Sequence, residues 1–487
     1  MAVVSNVFWY INNNKWWVFA SYNYAQIISM DTAAEVVALL NTDATTYYTT
    51  LNSQGYIYDW AISNETKTGK YNWSDGTVQY SNWIWSVGPK SYKVFTISWT
   101  ENNSPSTVAN SVVYSDDAAW LTRWTSKEFD EFFGYYACRL SSTWEESEKV
   151  TQSYSGNTVN LPLGTLATAT SGNDVMICFP KRWIKMTKSW STITLSITDE
   201  PDATGYQYYA FNKWELNSSF GYAYDAPVDK FYLWAFEMWW SAWATSLPTW
   251  TPWSGSFANH HDNAKAKSSN ASSKVSWHNV YQGNWSAMRR RQRCYINALY
   301  MMKYGNPDSS RTIGQGRTSW WSALARWHSW TQNSSLATWW DTSSSTTSMR
   351  LFWLENWRWN VSEWCMGIKT YSWNYNCAVN LWNDDGDTTV ATTATYQNTW
   401  YGSAVWTNWR PATSIAWDNK GMFIPTAVYS SQDWWVGYCD RSKVNAGYIA
   451  PVSGDCSSGL AAGAFTLSVD AAPSDSRASF GSRLVYL

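Results

Sequence analysis

Apolar residues in this chain come in short runs, separated by stretches rich in Ser, Thr, Asn and Gly. Two clear examples are Val175 to Phe179 and Thr192 to Ile197. Short alternating runs favour strands over helices, because successive side chains of a strand point to opposite faces of a sheet. Sheet is therefore expected to dominate the middle of the chain. Beyond Ser310 the apolar islands are shorter still, which is typical of long loops laid over a compact sheet.

Two segments predict helices. Residues Ala33 to Leu40 follow a capping box made of Thr32 and Glu35. Residues Trp285 to Tyr304 have apolar side chains near helical spacing, and the following Gly-Asn-Pro supplies a stop. The other face of this second helix is expected to be solvated, and it carries Arg289, Arg290, Arg291 and Arg293.

Length, charge and cysteine usage exclude several classes of protein. A chain of 487 residues favours two or three domains over one. Its 35 basic and 37 acidic residues leave a net charge of -2, so no global field favours nucleic acid or an anionic membrane. No apolar run approaches the ~20 residues of a membrane span, and no secretion signal of the usual kind is visible. The seven cysteines form no CxxC pair, so neither a zinc knuckle nor a redox motif is present.

The composition changes around Thr100 to Thr107, where Asn, Ser and Pro predominate as in an exposed linker. This change predicts three parts of the chain. Residues 1–100 would form an attachment or structural domain, and residues 101–173 a connecting β-rich segment. Residues 174–487 would form the ligand-binding domain, with a variable region near 421–487.

Tryptophan is unusually abundant and glycine unusually scarce. The chain has 40 Trp but only 25 Gly, so glycine is about 5% of the residues, below the roughly 7% of ordinary proteins. Tryptophans also occur as adjacent pairs in polar, turn-like contexts, such as Trp320-Trp321 and Trp339-Trp340. A buried Trp needs a core site and a partner for its indole N–H, and such contexts offer neither. Many of the tryptophans therefore look misplaced.

Seven short motifs follow one another in a recognisable order. They are YSDDAA (Tyr114 to Ala119), FPKRWIK (Phe179 to Lys185), FYLWAFE (Phe231 to Glu237), KYGNPDSSRTIGQG (Lys303 to Gly316), LENWRWNVSEW (Leu354 to Trp364), GMFIP (Gly421 to Pro425) and GSRLVYL (Gly481 to Leu487). In this order they resemble the variable proteins of diversity-generating retroelements and tail structural proteins of phages. Those proteins share a C-type-lectin-like fold with formylglycine-generating enzymes. The resemblance covers the chain from about Ser98 to Leu487.

The resemblance implies an α+β fold, with a C-type-lectin-like domain of the formylglycine-generating-enzyme type at 174–487 after a small, mainly β N-terminal region. In such a fold the final strand, Leu484 to Leu487, pairs back inside the sheet. The segment Asn360 to Trp364 is similar to the family's N-x-x-E-W element. This similarity implies that Glu363 accepts hydrogen bonds from loop amides and that Trp364 packs in the core. Both residues are expected to be structural and not catalytic.

Family members usually have Gly where this chain has Trp120, Trp234, Trp353 and Trp359. One hypothesis is that the source organism reads the UGA codon as glycine, whereas the sequence was translated with UGA as tryptophan. Replacing about 25 to 30 Trp by Gly would bring glycine to about 10 or 11%, which suits a loop-rich fold that needs positive φ angles. The alternative is a truly Trp-rich adhesin, and UGG codons at Trp234, Trp353 and Trp359 would end the glycine hypothesis.

Enzymatic chemistry has little support in the residues. Formylglycine-generating enzymes hold copper with a close pair of cysteines, whereas Cys439 and Cys456 lie 17 positions apart. The four histidines lie in no recognisable nucleophile context. The run His260-His261-Asp262 is more typical of a polar loop than of a metal site. A calcium-loop-like run from Asn383 has Ala394 at position twelve in place of the usual glutamate. The sequence thus predicts no catalytic residue, no metal and no cofactor.

In the variable proteins that this chain resembles, diversified residues lie near the C-terminus on a face whose backbone stays fixed. The corresponding segment here has clusters of Ser, Asp, Asn and Tyr between more family-like anchors. Tyr supplies rigid contact area while Ser and Asn adapt their hydrogen bonds, as in an antibody paratope. The residues expected to face the ligand are Tyr429, Ser431, Asp433, Tyr438, Asp440, Ser442, Asn445, Asp455, Ser457, Ser468, Asp470, Asp475 and Arg477.

The resemblance therefore implies a receptor-binding or surface-displayed variable protein, located on a virion tail, at a cell surface or outside the cell. Its partner would be a cell-surface protein or a glycan, and homo-oligomerisation or attachment to a virion is compatible with this function. Two alternatives stay open: a non-diversified structural tail protein and an oxidase of the formylglycine-generating type. Ordinary solvent-exposed loops are the alternative interpretation of the residues expected to face the ligand.

Overall fold

The computed structural model divides the chain into two compact units, 1–92 and 93–487. The helix predicted at Ala33 to Leu40 lies outside the residues that the structure describes, and the division of the second unit at 101–173 and 174–487 stays a prediction. The described residues are 6–11, 15–21, 58–59, 69–72, 77–80, 83–84, 88–89, 92–102, 105–140, 145–155, 158–160, 174–201, 203–217, 222–240, 244–246, 253–267, 274–275, 280–281, 285–307, 309–313, 334–335, 350–357, 360–371, 374–378, 396–398, 410–417, 423–428, 439–442, 449–452, 465, 471–472, 474–477 and 479–487.

Antiparallel strands make up the described part of the first unit. Strand β1 pairs with β2, β5 pairs with both β4 and β6, and β3 pairs with β7. These strands are β1 (Asn6–Ile11), β2 (Lys15–Ser21), β3 (Tyr58–Asp59), β4 (Gly69–Asn72), β5 (Thr77–Tyr80), β6 (Trp83–Ile84) and β7 (Gly88–Pro89).

Strands also predominate in the second unit. They are β8 (Val94–Thr100), β9 (Val113–Asp116), β10 (Tyr136–Leu140), β11 (Glu146–Val150), β12 (Ser153–Ser155), β13 (Thr158–Asn160), β14 (Asp174–Pro180), β15 (Trp183–Ser189), β16 (Thr192–Thr198), β17 (Asn212–Asn217), β18 (Tyr222–Pro227), β19 (Lys230–Trp234), β20 (Trp239–Trp240), β21 (Ala244–Thr245), β22 (Lys274–Val275), β23 (Val280–Tyr281), β24 (Trp285–Ala287), β25 (Ser334–Ser335), β26 (Arg350–Leu351), β27 (Leu354–Glu355), β28 (Ser362–Tyr371), β29 (Asn374–Ala378), β30 (Tyr396–Asn398), β31 (Arg410–Trp417), β32 (Phe423–Val428), β33 (Cys439–Ser442), β34 (Ile449–Val452), β35 (Phe480–Gly481) and β36 (Leu484–Tyr486).

The described helices are short, with one exception of 15 residues. They are α1 (Pro105–Asn110), α2 (Glu128–Phe133), α3 (Phe257–Lys267), α4 (Arg290–Tyr304) and α5 (Ser309–Thr312), together with a 3-10 turn at Tyr209–Phe211.

A six-stranded antiparallel sheet, in the order β11-β10-β14-β19-β36-β24, lies at the centre of the second unit. Strand β14 shows why it is central. Val175, Ile177 and Phe179 face one hydrophobic core, whereas Met176 and Cys178 face another. All five side chains are fully buried. Because strand side chains alternate between faces, this run can cover both faces of the sheet with apolar groups.

The first of these cores lies between the central sheet and a four-stranded sheet in the order β15-β16-β8-β9. Strands β8 and β16 align Ile97 with Leu195, and both side chains are fully buried. Apolar residues of α2 and α4 complete this core, including Phe129 and Leu299. The second core contains Phe257 of α3 together with residues of β28 and β35.

Strand β36 lies inside the central sheet, between β19 and β24. Val485 pairs with Leu233 on one side and with Ser286 on the other. Leu484 and Val485 are fully buried. The expectation that this segment is held inside a sheet is confirmed.

The expectation of an α+β, C-type-lectin-like fold is wrong. The described residues form mostly antiparallel sheets with few helices, and this arrangement shows no C-type-lectin fold. Segments beyond Ser310 that were expected to be loops pair as strands, among them Ser362–Tyr371 and Arg410–Trp417. Some of these strands also pair with neighbours distant in the sequence, such as β28 with β34, and the apolar islands alone do not reveal such pairing.

The helix predicted at 285–304 begins later than expected. Trp285–Ala287 is a strand, and its three residues pair with Tyr486, Val485 and Leu484. Helix α4 starts at Arg290 and ends at Tyr304, so the predicted end is confirmed. Gly305 follows with a φ of 58° and donates its backbone N–H to the Met301 carbonyl at 2.8 Å. Glycine suits this left-handed position because it has no Cβ.

Among the residues that the structure describes, three tryptophans have a positive φ, namely Trp124 (74°), Trp190 (56°) and Trp353 (65°). Trp190 lies in the two-residue loop between β15 and β16, and Trp353 lies in the two-residue loop between β26 and β27. Such loops favour Gly or Asn at positive φ. Trp190 is also 96% exposed, and Trp120 is 91% exposed. These positions agree with the hypothesis that some tryptophans stand where glycine belongs.

Trp234 and Trp353 have a different environment from the exposed tryptophans. Both side chains are fully buried. The indole N–H of Trp353 donates to Gln152 Oε1 at 2.9 Å, and the Lys267 ammonium lies 4.9 Å from the Trp234 ring centroid. Glycine at either position would remove side-chain packing as well as any backbone strain. Trp359 lies outside the described residues.

Candidate functional site

Two of the thirteen residues expected to face the ligand, Asp475 and Arg477, have described side chains. Arg477 Nη2 lies 3.1 Å from Asp475 Oδ2 in an ion pair at the surface. Asp475 also accepts the backbone N–H of Ala472 at 3.2 Å, and the Arg477 guanidinium lies 5.0 Å from the Phe480 ring centroid. These contacts hold the turn in a defined shape while the Arg477 side chain remains 55% exposed.

The structure describes no side chain for the other eleven residues of that set. Asp440 and Ser442 lie on strand β33, which pairs with β31. The remaining nine lie outside the described residues: Tyr429, Ser431, Asp433, Tyr438, Asn445, Asp455, Ser457, Ser468 and Asp470. The set therefore stays a prediction, apart from the surface position of the turn at 475–477.

A buried ionic cluster lies directly after this turn in the sequence. Arg483 is fully buried and donates from Nε to Glu363 Oε1 at 2.9 Å. Its other nitrogens donate to three backbone carbonyls, those of Trp234 at 2.8 Å, Ala235 at 2.7 Å and Glu355 at 2.6 Å. One guanidinium thus ties the residues before β36 to β19 and β27. A planar group with five donors is well suited to such a junction.

Glu363 is shared by two arginines. Its Oε2 lies 3.3 Å from Arg293 Nη1 of helix α4, and neither side chain of this pair is exposed. The Arg293 guanidinium lies 3.7 Å from the Trp357 ring centroid. Burial lowers the pKa of Arg293 to about 9, and the charge of Glu363 limits the decrease. The structural role expected for Glu363 stays a prediction, and the described partners of its carboxylate are guanidinium groups and not the expected loop amides.

The arginines at the start of α4 do not form a solvated face. Arg289, Arg290 and Arg291 are each 2% exposed, and Arg293 is fully buried. The expectation failed because charge runs on helices are usually assigned to solvent, whereas this run lies beneath strands from distant parts of the chain.

Trp364 is fully buried, and its indole N–H donates to the Gly255 carbonyl at 3.0 Å, as its expected core position requires.

A second buried ion pair joins α2 to α4. Lys303 Nζ lies 2.5 Å from Asp130 Oδ2, and both side chains are fully buried. Burial raises the pKa of Asp130 and lowers the pKa of Lys303, and the attraction between them opposes both shifts. The pair fixes the position of the long helix in the first core.

A half-buried polar cluster lies at one end of the central sheet. Glu146 Oε2 is 2.5 Å from Lys230 Nζ and accepts the Tyr232 hydroxyl at 2.9 Å. Burial raises the pKa of Glu146, but hydrogen bonds from Lys230, Tyr136 and Tyr232 outweigh it, so the net shift is downward. This carboxylate stays ionised at neutral pH and holds its neighbours in place.

Two cysteines lie beneath that cluster, on the same face of the sheet. Cys138 and Cys178 are fully buried and belong to adjacent strands β10 and β14. Burial raises the pKa of Cys178 to about 12 and raises that of Cys138 as well. The thiols therefore stay protonated at neutral pH, which disfavours a nucleophilic thiolate at this face. Cys439 lies on β33, and Cys456 lies outside the described residues.

The run His260-His261-Asp262 is part of helix α3 and not of a polar loop. His260 is fully buried, with Nδ1 3.3 Å from the Met238 sulfur and its ring centroid 4.7 Å from that of Trp253. The expectation failed because a polar run was assigned to solvent. Within the described parts of the chain, no three or more His, Cys, Asp or Glu side chains come together as a metal site would require. The calcium-loop-like run from Asn383 lies outside those parts.

An aromatic contact beside strand β15 has no clear signal in the sequence. Trp183, which is buried, packs against Tyr208 with the ring centroids 6.2 Å apart. The only local hint is the density of tyrosine in the segment Gly205 to Tyr209. The β-bridge that brings this segment to Trp183 is not visible in the residues alone.

Comparison with models of known protein families gives no match to this chain. Comparison with curated proteins gives no match either. Among the described residues, no helix is both long and apolar enough to cross a membrane.

Proposed function

We propose that this chain is a ligand-binding protein, either receptor-binding or displayed on a surface, and not an enzyme. It would act on a virion tail or at a cell surface, as a variable protein of the kind encoded with diversity-generating retroelements. Its ligand would be a cell-surface protein or a glycan, bound by exposed side chains near 429–477. The antiparallel sheets of the second unit would serve as the fixed framework.

One observation carries this proposal. Arg477 is exposed in an ordered turn, and a few residues later Arg483 is fully buried and makes four hydrogen bonds. The side chains that meet solvent are thus attached directly to a rigid anchor. Such an attachment lets surface residues change without disturbing the core, because surface substitutions away from special features alter the free energy of unfolding by only about ±0.5 kcal/mol.

Sequencing the gene from many members of one source population tests the proposal. Amino-acid changes should concentrate at the thirteen residues expected to face the ligand and should spare Glu363, Arg483 and Leu484. A reverse transcriptase gene nearby, with a second copy of the segment that differs only at adenines, would add support. An even spread of changes along the chain, or none at 429–477, would instead indicate an invariant structural component.

A further inference from the structure

Helix α2 and the last turn of helix α4 meet at one pair of buried side chains. Lys303 Nζ lies 2.5 Å from Asp130 Oδ2, and neither side chain is exposed. The two residues are 173 positions apart in the sequence, so only the tertiary structure brings them together. A primary amine and a carboxyl group are thereby held in direct contact inside the first core.

Tyrosine side chains line the surroundings of this pair. Lys303 Nζ lies 5.6 Å from the ring centroid of Tyr304, and that ring stacks on Tyr300 with the centroids 5.0 Å apart. On the other side, Tyr135 is 2% exposed and lies close enough to Asp130 to affect the pKa of that carboxyl group. All three tyrosines belong to the first core, which keeps bulk water away from the pair.

Burial favours the uncharged form of both groups. Removal from water raises the pKa of Asp130 and lowers the pKa of Lys303, and the attraction between the two charges opposes these shifts. A proton that moves from the ammonium to the carboxylate along their hydrogen bond leaves an uncharged amine beside a carboxylic acid. A desolvated lysine amine is a nucleophile, and the carboxyl carbon is the electrophile that it contacts.

We propose that Lys303 and Asp130 become joined by an amide bond between their side chains. Lys303 Nζ bonds to Asp130 Cγ, one C–O bond of the carboxyl group breaks, and the hydroxyl leaves as water with a proton from the amine. The two side chains supply every atom of the products, so the step needs no oxidant, reductant or other reactant. The Tyr135 hydroxyl is placed to stabilise the charge that develops on the carboxyl oxygen during the attack.

Two physical effects favour this bond. Because the amine and the carboxyl group are held in contact, they react without the entropic cost of bringing two separate molecules together. The product is an uncharged amide, whereas the ion pair leaves two charges in a core where desolvation opposes both. Both side chains are fully buried, so bulk water is kept from the site where it would reverse the reaction.

Two other lysine–carboxylate pairs serve as internal comparisons because solvent reaches them. Lys127 and Glu131 lie 3.0 Å apart on α2, and each side chain is 48% exposed. Lys230 and Glu146 lie 2.5 Å apart, and the Lys230 side chain is 42% exposed. These pairs have the same reacting groups in similar contact, but their charges stay hydrated. We therefore expect an amide bond at neither of them.

The amide bond closes a covalent loop over residues 130–303, which include strands β10, β14, β19 and β24 of the central sheet. A covalent link between distant positions restricts the unfolded chain, as a disulfide does, but a reducing agent does not break an amide. This inference does not depend on the proposed ligand-binding function. It concerns the framework and adds a modification site to it.

Mass spectrometry of the purified full chain under denaturing conditions tests the inference. The intact mass should be lower than the sequence mass by one water molecule. After digestion with trypsin, residues 128–139 and 294–311 should be found as one branched peptide, because trypsin does not cleave after an amidated lysine. Fragmentation of that peptide should place the branch at Asp130 and Lys303.

The matched variants are Lys303→Arg and Lys127→Arg. Lys303→Arg keeps a positive charge opposite Asp130 but has no primary amine, so it should show the full sequence mass. Lys127→Arg makes the same change at the exposed pair and should still lose one water molecule. Circular dichroism shows whether each variant is folded, and the measurement on the unchanged chain decides the matter without them.

A full sequence mass for the unchanged chain, with residues 294–303 released as a separate peptide, would overturn the inference. A loss of water that persists in Lys303→Arg, or that fragmentation places at another pair, would overturn it as well. The gene-population test decides the proposed function separately, so either proposal can fail while the other stands.

Discussion

Replacing Trp190 by glycine should stabilise the hairpin of β15 and β16. Trp190 has a φ of 56° and is 96% exposed, so the substitution removes a left-handed side chain without removing buried packing. A non-glycine residue in this conformation costs about 1–2 kcal/mol. The greater freedom of glycine in the unfolded chain takes back about 0.5–1 kcal/mol. The expected net gain is about 1 kcal/mol in the free energy of opening the hairpin.

Amide hydrogen exchange measures this effect locally, without requiring the whole chain to unfold in one step. A gain of about 1 kcal/mol slows exchange of the hairpin amides roughly five-fold. Trp120→Gly is the matched control, because Trp120 is 91% exposed but does not have a positive φ. That control should leave protection unchanged or weaken it. Faster exchange in Trp190→Gly, or the same change in both variants, would refute the argument from backbone strain.

Two further outcomes follow from buried charge. Glu363→Gln removes the carboxylate that contacts Arg293 and Arg483, and it should lower the free energy of unfolding by about 3–5 kcal/mol in urea titrations. Asp475→Asn breaks an exposed ion pair and should change the free energy of unfolding by less than about 1 kcal/mol. Equal losses in Glu363→Gln and Asp475→Asn would contradict the argument from burial. Burial lowers the pKa of His260 to about 3, below its ordinary 6.5, so the unfolded chain binds this proton more readily. The contribution of neutral, buried His260 to the free energy of unfolding is complete above pH 6.5 and falls as the pH drops toward 3. At pH 5 it has decreased by about 2 kcal/mol. His260→Gln should flatten that part of the stability profile, and an unchanged acid slope would disprove the assignment.

Local patterns in the sequence were sufficient where the structure depends on local chemistry. The alternating run at 175–179 became strand β14, and the run at 192–197 became β16. The end of α4 followed from Gly305, since a left-handed residue stops a helix wherever its neighbours lie.

Predictions from local sequence patterns were wrong where contacts with distant residues determine the structure. Trp285 fits the spacing of a helix, but it pairs with Tyr486 as a strand. The sequence pattern predicts that the arginines of α4 face solvent. In the structure Glu363, which is 70 positions from Arg293, supplies a buried negative charge that pairs with it. The C-type-lectin-like fold was inferred from the order of motifs, and motif order does not specify how strands pair. The β-bridge between Ile184 and Gln207 was missed for the same reason, since the two residues meet only through tertiary structure.

The position of β36 has a consequence for synthesis on the ribosome. In the central sheet, β36 is the strand that connects β19 to β24. The edge of β19 that contains Leu233 is therefore unpaired until Val485 has been synthesised. During translation both β19 and β24 therefore present unpaired edges, which other nascent chains can pair with. Such late, long-range pairing is slow. A chain cut short before residue 484 would keep these edges open, and we expect it to aggregate or to be retained by chaperones.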